Sequence, residues 1–411
     1  MTADLQRQID ACLSKFDGPF GIAVSGGGDS MALLHLVAAR VRETAFPGPH
    51  VITVDHGLRA DAAQEAEFVA RTAQALGLQH RTLTWTGWNG TGNLQASARA
   101  ARYHLLADDA QSNGLQAILL GHTADDVAET FLMRLARGSG IAGLAAMDAD
   151  FTRHGQRFLR PALHAKRASL RDYLSQINAD WIEDPSNEDP RFDRVKMRAA
   201  FPALAEIGLS VDQLSATAHR LADAQAVVRD TVCDLASHCT MDRAGTLLIT
   251  QDALEQFHHE TQHGFWGHAF QWTGSADYRP RADAVAACIA RATKEGRAQL
   301  AGCELTYAKG TFHLCREPKA VAGLTAATDA IWDKKWRFAG PYAAGLIIKP
   351  LGESGLRQVL DWRTTGLARD ALLVSPAIYQ QDTLVAAPLA GLNNGWSVQI
   401  VADFHSSLQA H

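Results

Sequence analysis

Phe20-Gly21-Ile22-Ala23-Val24-Ser25-Gly26-Gly27-Gly28-Asp29-Ser30 is the stretch that decides how this chain reads. An apolar run of strand length ends in a serine and three glycines, and a helical pattern over 29–43 follows. Glycine lets the backbone approach a polyanion closely and take positive φ. The first N–H groups of the helix are unpaired and lie at its positive dipole end, so phosphate can sit there. Ser25 and Ser30 can donate hydroxyl hydrogen bonds to phosphate oxygens. Asp29 would repel phosphate directly, and a bridging Mg²⁺ is the natural reason for a carboxylate at that place. A plain βα turn with an Asp or Ser cap could carry the same letters. The GxxxxGK loop of kinases and GTPases is absent, which argues against γ-phosphate transfer.

Working outward, 20–25, 50–55, 79–85 and 116–120 are short Val-, Ile- and Leu-rich runs, with helical patterns at 29–43, 61–77, 93–113 and 123–137. Buried strands alternating with helices give an α/β fold with a doubly wound, mostly parallel sheet, whose ligands bind at the carboxyl ends of the strands. The pattern changes near 206. A helical stretch over 210–236, strand candidates at 246–250 and 303–316 and an Ala-rich helix at 281–293 predict a mostly helical middle domain, 206–325. The rest, 326–411, has strand-like runs at 345–348 and 396–402 and reads as a small α+β domain. The N-terminal domain is then 1–205.

Composition narrows the functional classes. With 411 residues, 47% of them hydrophobic, the chain can build packed cores. No apolar run approaches the roughly 18–20 residues of a membrane helix, and no secretory h-region is visible, so a cytoplasmic protein is expected. The six cysteines form no CxxC pair, against a disulfide framework, a Cys-rich zinc site and a dithiol centre. The net charge of −5 excludes a globally basic coat but not local basic faces. Arg134 and Arg137 precede Gly138-Ser139-Gly140. Lys166, Arg167 and Arg171, and then Arg191, Arg194, Lys196 and Arg198, form two further clusters that suit a phosphate backbone or a solvated charge face. His259-Glu260-Thr261-Gln262-His263 matches HExxH, but it lies outside the βαβ region in a chain with 17 histidines and reads as accidental.

The SGGGDS loop resembles that of the N-type ATP pyrophosphatases, the PP-loop family, which cleave ATP between the α- and β-phosphates. Further motifs narrow the resemblance: Val54-Asp55-His56-Gly57-Leu58-Arg59, Gly121-His122-Thr123-Ala124-Asp125-Asp126 with Glu129-Thr130, Arg134, Arg137-Gly138-Ser139-Gly140, Gly143-Leu144, Arg160-Pro161, and Trp181-Ile182-Glu183-Asp184-Pro185-Ser186-Asn187. Their order over 20–200 resembles the tRNA(Ile)-lysidine synthase family. One departure is Phe192-Asp193-Arg194-Val195-Lys196-Met197-Arg198, where Val195 and Lys196 stand in place of the family's usual Asn and Arg.

The resemblance implies an adenine nucleotide alpha hydrolase-like domain and a two-step ligation. The wobble cytidine of a CAU-anticodon tRNA(Ile) attacks the α-phosphate of ATP, and the amine of L-lysine then displaces AMP. It implies ATP contacts from Ser25, Gly26, Gly27, Gly28, Asp29, Ser30, Asp55, His56 and His122, with Mg²⁺ at Asp29. Lysine recognition falls to Arg102, Asp126 and Glu129, which with Asp29 make up the catalytic set. Arg134, Arg137, Lys166, Arg167, Arg194, Lys196 and Arg198 are the tRNA-contact candidates, and the small C-terminal domain helps read the tRNA. A homodimer is compatible with this reading. Asp126 and Glu129, at i and i+3, share a helix face, although an acidic first turn is also favoured by the helix dipole. His122 could relay a proton or be a satisfied structural histidine. A PP-loop tRNA thiolase and a non-catalytic tRNA-binding protein are the alternatives.

Overall fold

The computed structural model describes residues 2–44, 48–57, 62–88, 94–183 and 193–409. Leu58, Arg59, Asp184–Asn187, Arg191 and Phe192 of the motifs above lie outside the described residues. Two compact units divide the chain, Met1–Gln225 and Ala226–His411.

The first unit alternates helix and strand in the order α1 (Thr2–Leu13), β1 (Phe20–Ala23), α2 (Gly28–Glu43), β2 (His50–Asp55), α3 (Ala62–Ala75), β3 (His80–Thr84), α4 (Leu94–Ser112), β4 (Ala117–Leu120), α5 (Ala124–Leu135) and α6 (Ile141–Leu144). A hairpin of β5 (Asp150–Arg153) and β6 (Gln156–Leu159) follows, then α7 (Arg167–Gln176) and α8 (Asp193–Glu206). The six strands are ordered β3-β2-β1-β4-β6-β5, all parallel except β5. Every residue of β1 and β4 is buried, as expected of central strands covered on both faces. Alternate side chains serve opposite cores. Ile22, Val24 and Leu119 pack with α1, α2 and α7, whereas Ala23, Ile118 and Leu120 pack with Tyr103, Leu106 and Ala110 of α4. The chain leaves β1 for β2 on one side, while β4 pairs on the other. The carboxyl ends of β1 and β4 therefore flank the crevice at which such sheets bind ligands.

The α5–α8 region has its own core. Val127, Ala128 and Phe131 of α5 meet Leu163, Phe201 of α8, and Leu214 and Ala218 of α9 (Val211–Ser237). The second unit holds a five-stranded sheet, β7 (Thr240–Met241), β8 (Leu247–Thr250), β9 (Arg297–Leu300), β10 (Cys303–Ala308) and β11 (Thr311–Arg316), ordered β7-β8-β11-β10-β9. It packs with α10 (Gln251–Glu255), α11 (His259–Thr273) and α12 (Ala282–Glu295). The single strand candidate 303–316 is a hairpin, turned at Lys309 and Gly310, both at positive φ. Smaller sheets from 326 onward enclose Trp332, Phe338, Ile348, Ile378 and Trp396.

Lys335 is 6% exposed and donates from Nζ to the carbonyls of Trp272 and Thr273, each at 2.8 Å. An ammonium thus closes the C-terminus of α11, where carbonyls lack intrahelical partners. Burial pushes Lys335 down from 10.5 to about 8. Between those values the unfolded chain holds a proton that the folded chain has released. Stability therefore rises with pH across that window, and this contribution is lost as pH falls through about 8. Lys335→Met should abolish that rise and, by leaving the Thr273 carbonyl without its partner, lower neutral-pH stability by about 1–3 kcal/mol. Urea unfolding of the full chain followed by tryptophan fluorescence measures both effects.

Candidate functional site

The Gly-rich turn is built as an anion cradle. Gly26 has φ +88, and a Cβ there would lie 2.9 Å from Ile182 Cδ1. Gly27 is the N-cap of α2, so the next amides point outward without partners inside the helix. Ser25 is exposed and Ser30 is buried. The Ser30 hydroxyl donates to the Gly27 carbonyl at 3.0 Å and accepts from the Ser25 amide at 3.2 Å. Behind the turn, Ile182 pairs with Gly27 and donates its amide to the Gly26 carbonyl at 2.9 Å. From the β4 side Gly121 comes so close that a Cβ would sit 3.0 Å from Ser30 Cα and 3.2 Å from the Asp29 carbonyl carbon.

Next to the cradle lies a carboxylate cluster. Asp126 is 8% exposed and Glu129 is fully buried. Asp126 Oδ2 accepts from both the amide and the hydroxyl of Thr123, each at 2.9 Å, a capping arrangement that starts α5. Arg167, at the start of α7, ties the cluster together. Its Nε donates to Asp29 Oδ2 at 3.0 Å, its Nη1 to Glu129 Oε1 at 3.1 Å, and its Nη2 lies 3.5 Å from Asp126 Oδ1. Its own amide donates to Asp125 Oδ2 at 2.8 Å. Arg198 of α8 donates from Nε to Glu129 Oε1 at 2.6 Å. Burial works against the Arg167 charge, but Asp126, Asp29 and Glu129 outweigh it and raise its pKa. Burial raises the Asp29 pKa despite Arg167, with Asp126 and Asp125 adding to the rise. Asp29 Oδ1 is buried without a hydrogen-bond partner among the described residues. An orphaned oxygen beside a phosphate cradle fits a divalent cation, which takes one or two carboxylates and fills its shell with phosphate and water.

On the other side of His122 lies a basic cluster. Arg160 donates from Nε to His122 Nδ1 at 3.3 Å. Nδ1 is then the acceptor, which places the proton on Nε2. Burial lowers the His122 pKa to about 3; Asp126 opposes this, and Arg160, Arg102 and Arg99 reinforce it. His122 is therefore neutral at physiological pH and offers a donor, not a base. Burial disfavours the Asp126 carboxylate, but His122, Arg167 and the Thr123 amide outweigh this and lower its pKa. Because His122 is neutral, Arg167 and the amide keep Asp126 ionised near pH 7. Burial and the charge of Arg99 lower the pKa of Arg102, Arg134 and Arg160 alike. Arg102 has no hydrogen bond or ion pair among the described residues. Burial and Arg102 lower His56, whose Nδ1 is buried without a partner among the described residues. Asp55 Oδ1 accepts the Gly57 amide at 2.7 Å. Such an excess of desolvated positive charge suits an anion.

The expected groups thus fall into three places. Ser25, Gly26, Gly27, Gly28, Asp29 and Ser30 form the cradle. Asp126 and Glu129 join Asp29 through Arg167 and Arg198, so two tRNA-contact candidates lie within the inner cluster. Arg102, His56 and His122 belong with the basic side. Arg134 donates to the Gly143 carbonyl at 2.8 Å. Exposed positions hold Arg137 and Lys196, both on Asp193, and Lys166, on Asp212. Arg194 is half-buried and within electrostatic reach of Asp126. Arg99, three residues before Arg102 on the same helix face, and Arg160, of the Arg160-Pro161 motif, complete the basic side. Among the described residues no group of three or more His, Cys, Asp or Glu is arranged to hold a metal, HExxH included. No helix among them is long and apolar enough to cross a membrane. Cys12 sits in the core, its thiol pushed up to about 12 by burial, and is unsuited to thiolase chemistry.

A family model described as a PP-loop domain matches residues 1–204. The tRNA(Ile)-lysidine synthase of Ruegeria pomeroyi is 42% identical over 398 residues, covering 95% of this chain and 94% of that protein. The chain belongs to the tRNA(Ile)-lysidine synthase family. A further tRNA(Ile)-lysidine synthase, from Mesorhizobium japonicum, is 34% identical over 87% of this chain and 81% of its own. That of Rhodopseudomonas palustris is 48% identical over 50% of this chain and 60% of its own. Members of the tRNA(Ile)-lysidine synthase family are enzymes, and the PP-loop makes ATP the nucleotide substrate.

Gly121→Ala must push the backbone at Asp29 and Ser30 by a few tenths of an ångström. It should raise the KM for ATP roughly tenfold while the protein stays folded. Steady-state kinetics with circular dichroism checks this outcome.

Proposed function

We propose that the chain is a ligase that joins L-lysine to C2 of the wobble cytidine of CAU-anticodon tRNA(Ile). The observation that carries the reading is the pair of opposed charge clusters abutting one phosphate cradle. Cytidine O2 forms a bond to the α-phosphorus of ATP, and pyrophosphate leaves. The lysine amine then forms a bond to C2, and the C2–O bond to AMP breaks. The α2 amides with Ser25 and Ser30 hold the pyrophosphate portion, because phosphoryl transfer is accelerated chiefly by positioning and by stabilising the charge on the phosphates. Asp29 would hold Mg²⁺, which supplies neutralisation of the phosphates. Arg102, with Arg99 and Arg160 near it, faces the negative charge of the adenylate. His122 donates from Nε2. The buried Nδ1 of His56, beside Asp55, suits a nucleotide contact.

Free lysine carries an amine with a reference pKa near 10.4. It needs carboxylates to bind it and an acceptor for its proton. Asp126 and Glu129, at the start of α5, supply both. Arg134, Arg137, Lys166, Arg194 and Lys196 surround the site with positive charge suited to tRNA phosphates, and the part from 326 onward is assigned to tRNA reading as well. The assembly is read as compatible with a homodimer, and the compartment as the cytoplasm.

Asp29→Ala should cut tRNA-dependent AMP formation by about 10²–10³-fold, with the far-UV circular dichroism spectrum unchanged. Asp126→Asn retains an acceptor for Thr123 and should raise the KM for lysine roughly 10–100-fold, with a much smaller change for ATP. Lys166→Ala and Lys196→Ala should each weaken tRNA binding and reduce its log–log salt slope by about 1, measured by filter binding.

A further inference from the structure

Arg167 blocks the place at which the lysine amine has been put. Asp126 Oδ2 is taken by the Thr123 amide and hydroxyl, and its free oxygen, Oδ1, faces Arg167 Nη2 at 3.5 Å. Glu129 Oε1 receives both Arg167 at 3.1 Å and Arg198 at 2.6 Å. An arriving ammonium group meets a cation of the protein's own. The same guanidinium bonds Asp29 in the first turn of α2, so it borders the phosphate cradle. A triphosphate there presents several anionic oxygens close together and accepts arginine in bidentate fashion.

We propose that Arg167 is a positioning residue that exchanges Asp126 and Glu129 for nucleotide phosphate, so that the amine site opens only once ATP is bound. The inference rests on the assignment of Asp126 and Glu129 to the lysine amine. Nucleotide binding moves the guanidinium toward phosphate, which frees Asp126 Oδ1 and leaves Glu129 to Arg198 alone among the described residues. Lysine thus enters after ATP, and because coupling is reciprocal, lysine tightens the nucleotide by the same factor.

Equilibrium dialysis of labelled L-lysine, with and without α,β-methylene ATP, tests this in the full chain. In the wild type the nucleotide should tighten lysine about tenfold or more. Arg167→Gln should bind lysine without nucleotide as tightly as the loaded wild type, gain nothing further from nucleotide, and bind nucleotide more weakly. Equal lysine affinity in the two wild-type conditions overturns the exchange. So does a folded Arg167→Gln protein that binds lysine more weakly in both, since Arg167 is then only a structural tie. If Arg167→Gln does not fold, Arg167→Lys decides: its compact ammonium cannot span three carboxylates, and undiminished coupling there overturns the exchange. Wild-type lysine binding by both Asp126→Asn and Glu129→Gln places the amine elsewhere. That result removes the underlying assignment and the proposal with it, and it is read without reference to nucleotide.

Discussion

Three carboxylates gathered out of water are tolerated only where cations meet them with good geometry. Asp29, Asp126 and Glu129 come from two helices that follow different strands, and Arg167 comes from a third. The need to match these charges explains why α7 begins where it does. The Asp125 carboxylate receives the Arg167 amide, and the Ala124 amide reaches the Ala165 carbonyl. It also explains α8, whose apolar side chain Phe201 packs on the α5 core while Arg198 reaches Glu129. Helix packing in this unit and construction of the site are one process.

The chemistry is organised by sign. Acidic groups and their arginine ties lie toward the cradle and α5, and arginines without a carboxylate ion pair among the described residues lie toward Tyr103 and Arg160. Between them His122 stays uncharged, bonded to Arg160 on the basic side and within electrostatic reach of Asp126 on the acidic one. Such a separation offers an anion and a cation different faces of one site.

Much of this was legible in the residues. Fully buried β1 and β4 follow from unbroken apolar runs, and the cradle follows from glycines between strand and helix. The shared face of Asp126 and Glu129 follows from their spacing. Spacing does not report ion pairs across the fold. Arg167 lies 138 positions from Asp29, and Arg198 lies 69 from Glu129, so both read as parts of basic clusters and not as ties to carboxylates. Two hairpins escaped for a different reason. The β5–β6 turn places His154 at φ 52 before Gly155, and the β10–β11 turn places Lys309 at φ 50 before Gly310. Histidine and lysine are not the usual residues for that conformation, which strand pairing here imposes.

The contact between Gly121 and the start of α2 has a consequence for how the cradle and the α5 carboxylates are spaced. With no side chain between them, the β4 end and the Asp29–Ser30 backbone meet at van der Waals thickness, and α5 begins only three residues later. The separation between the cradle and the first turn of α5 is therefore gauged by the width of a single hydrogen atom at residue 121.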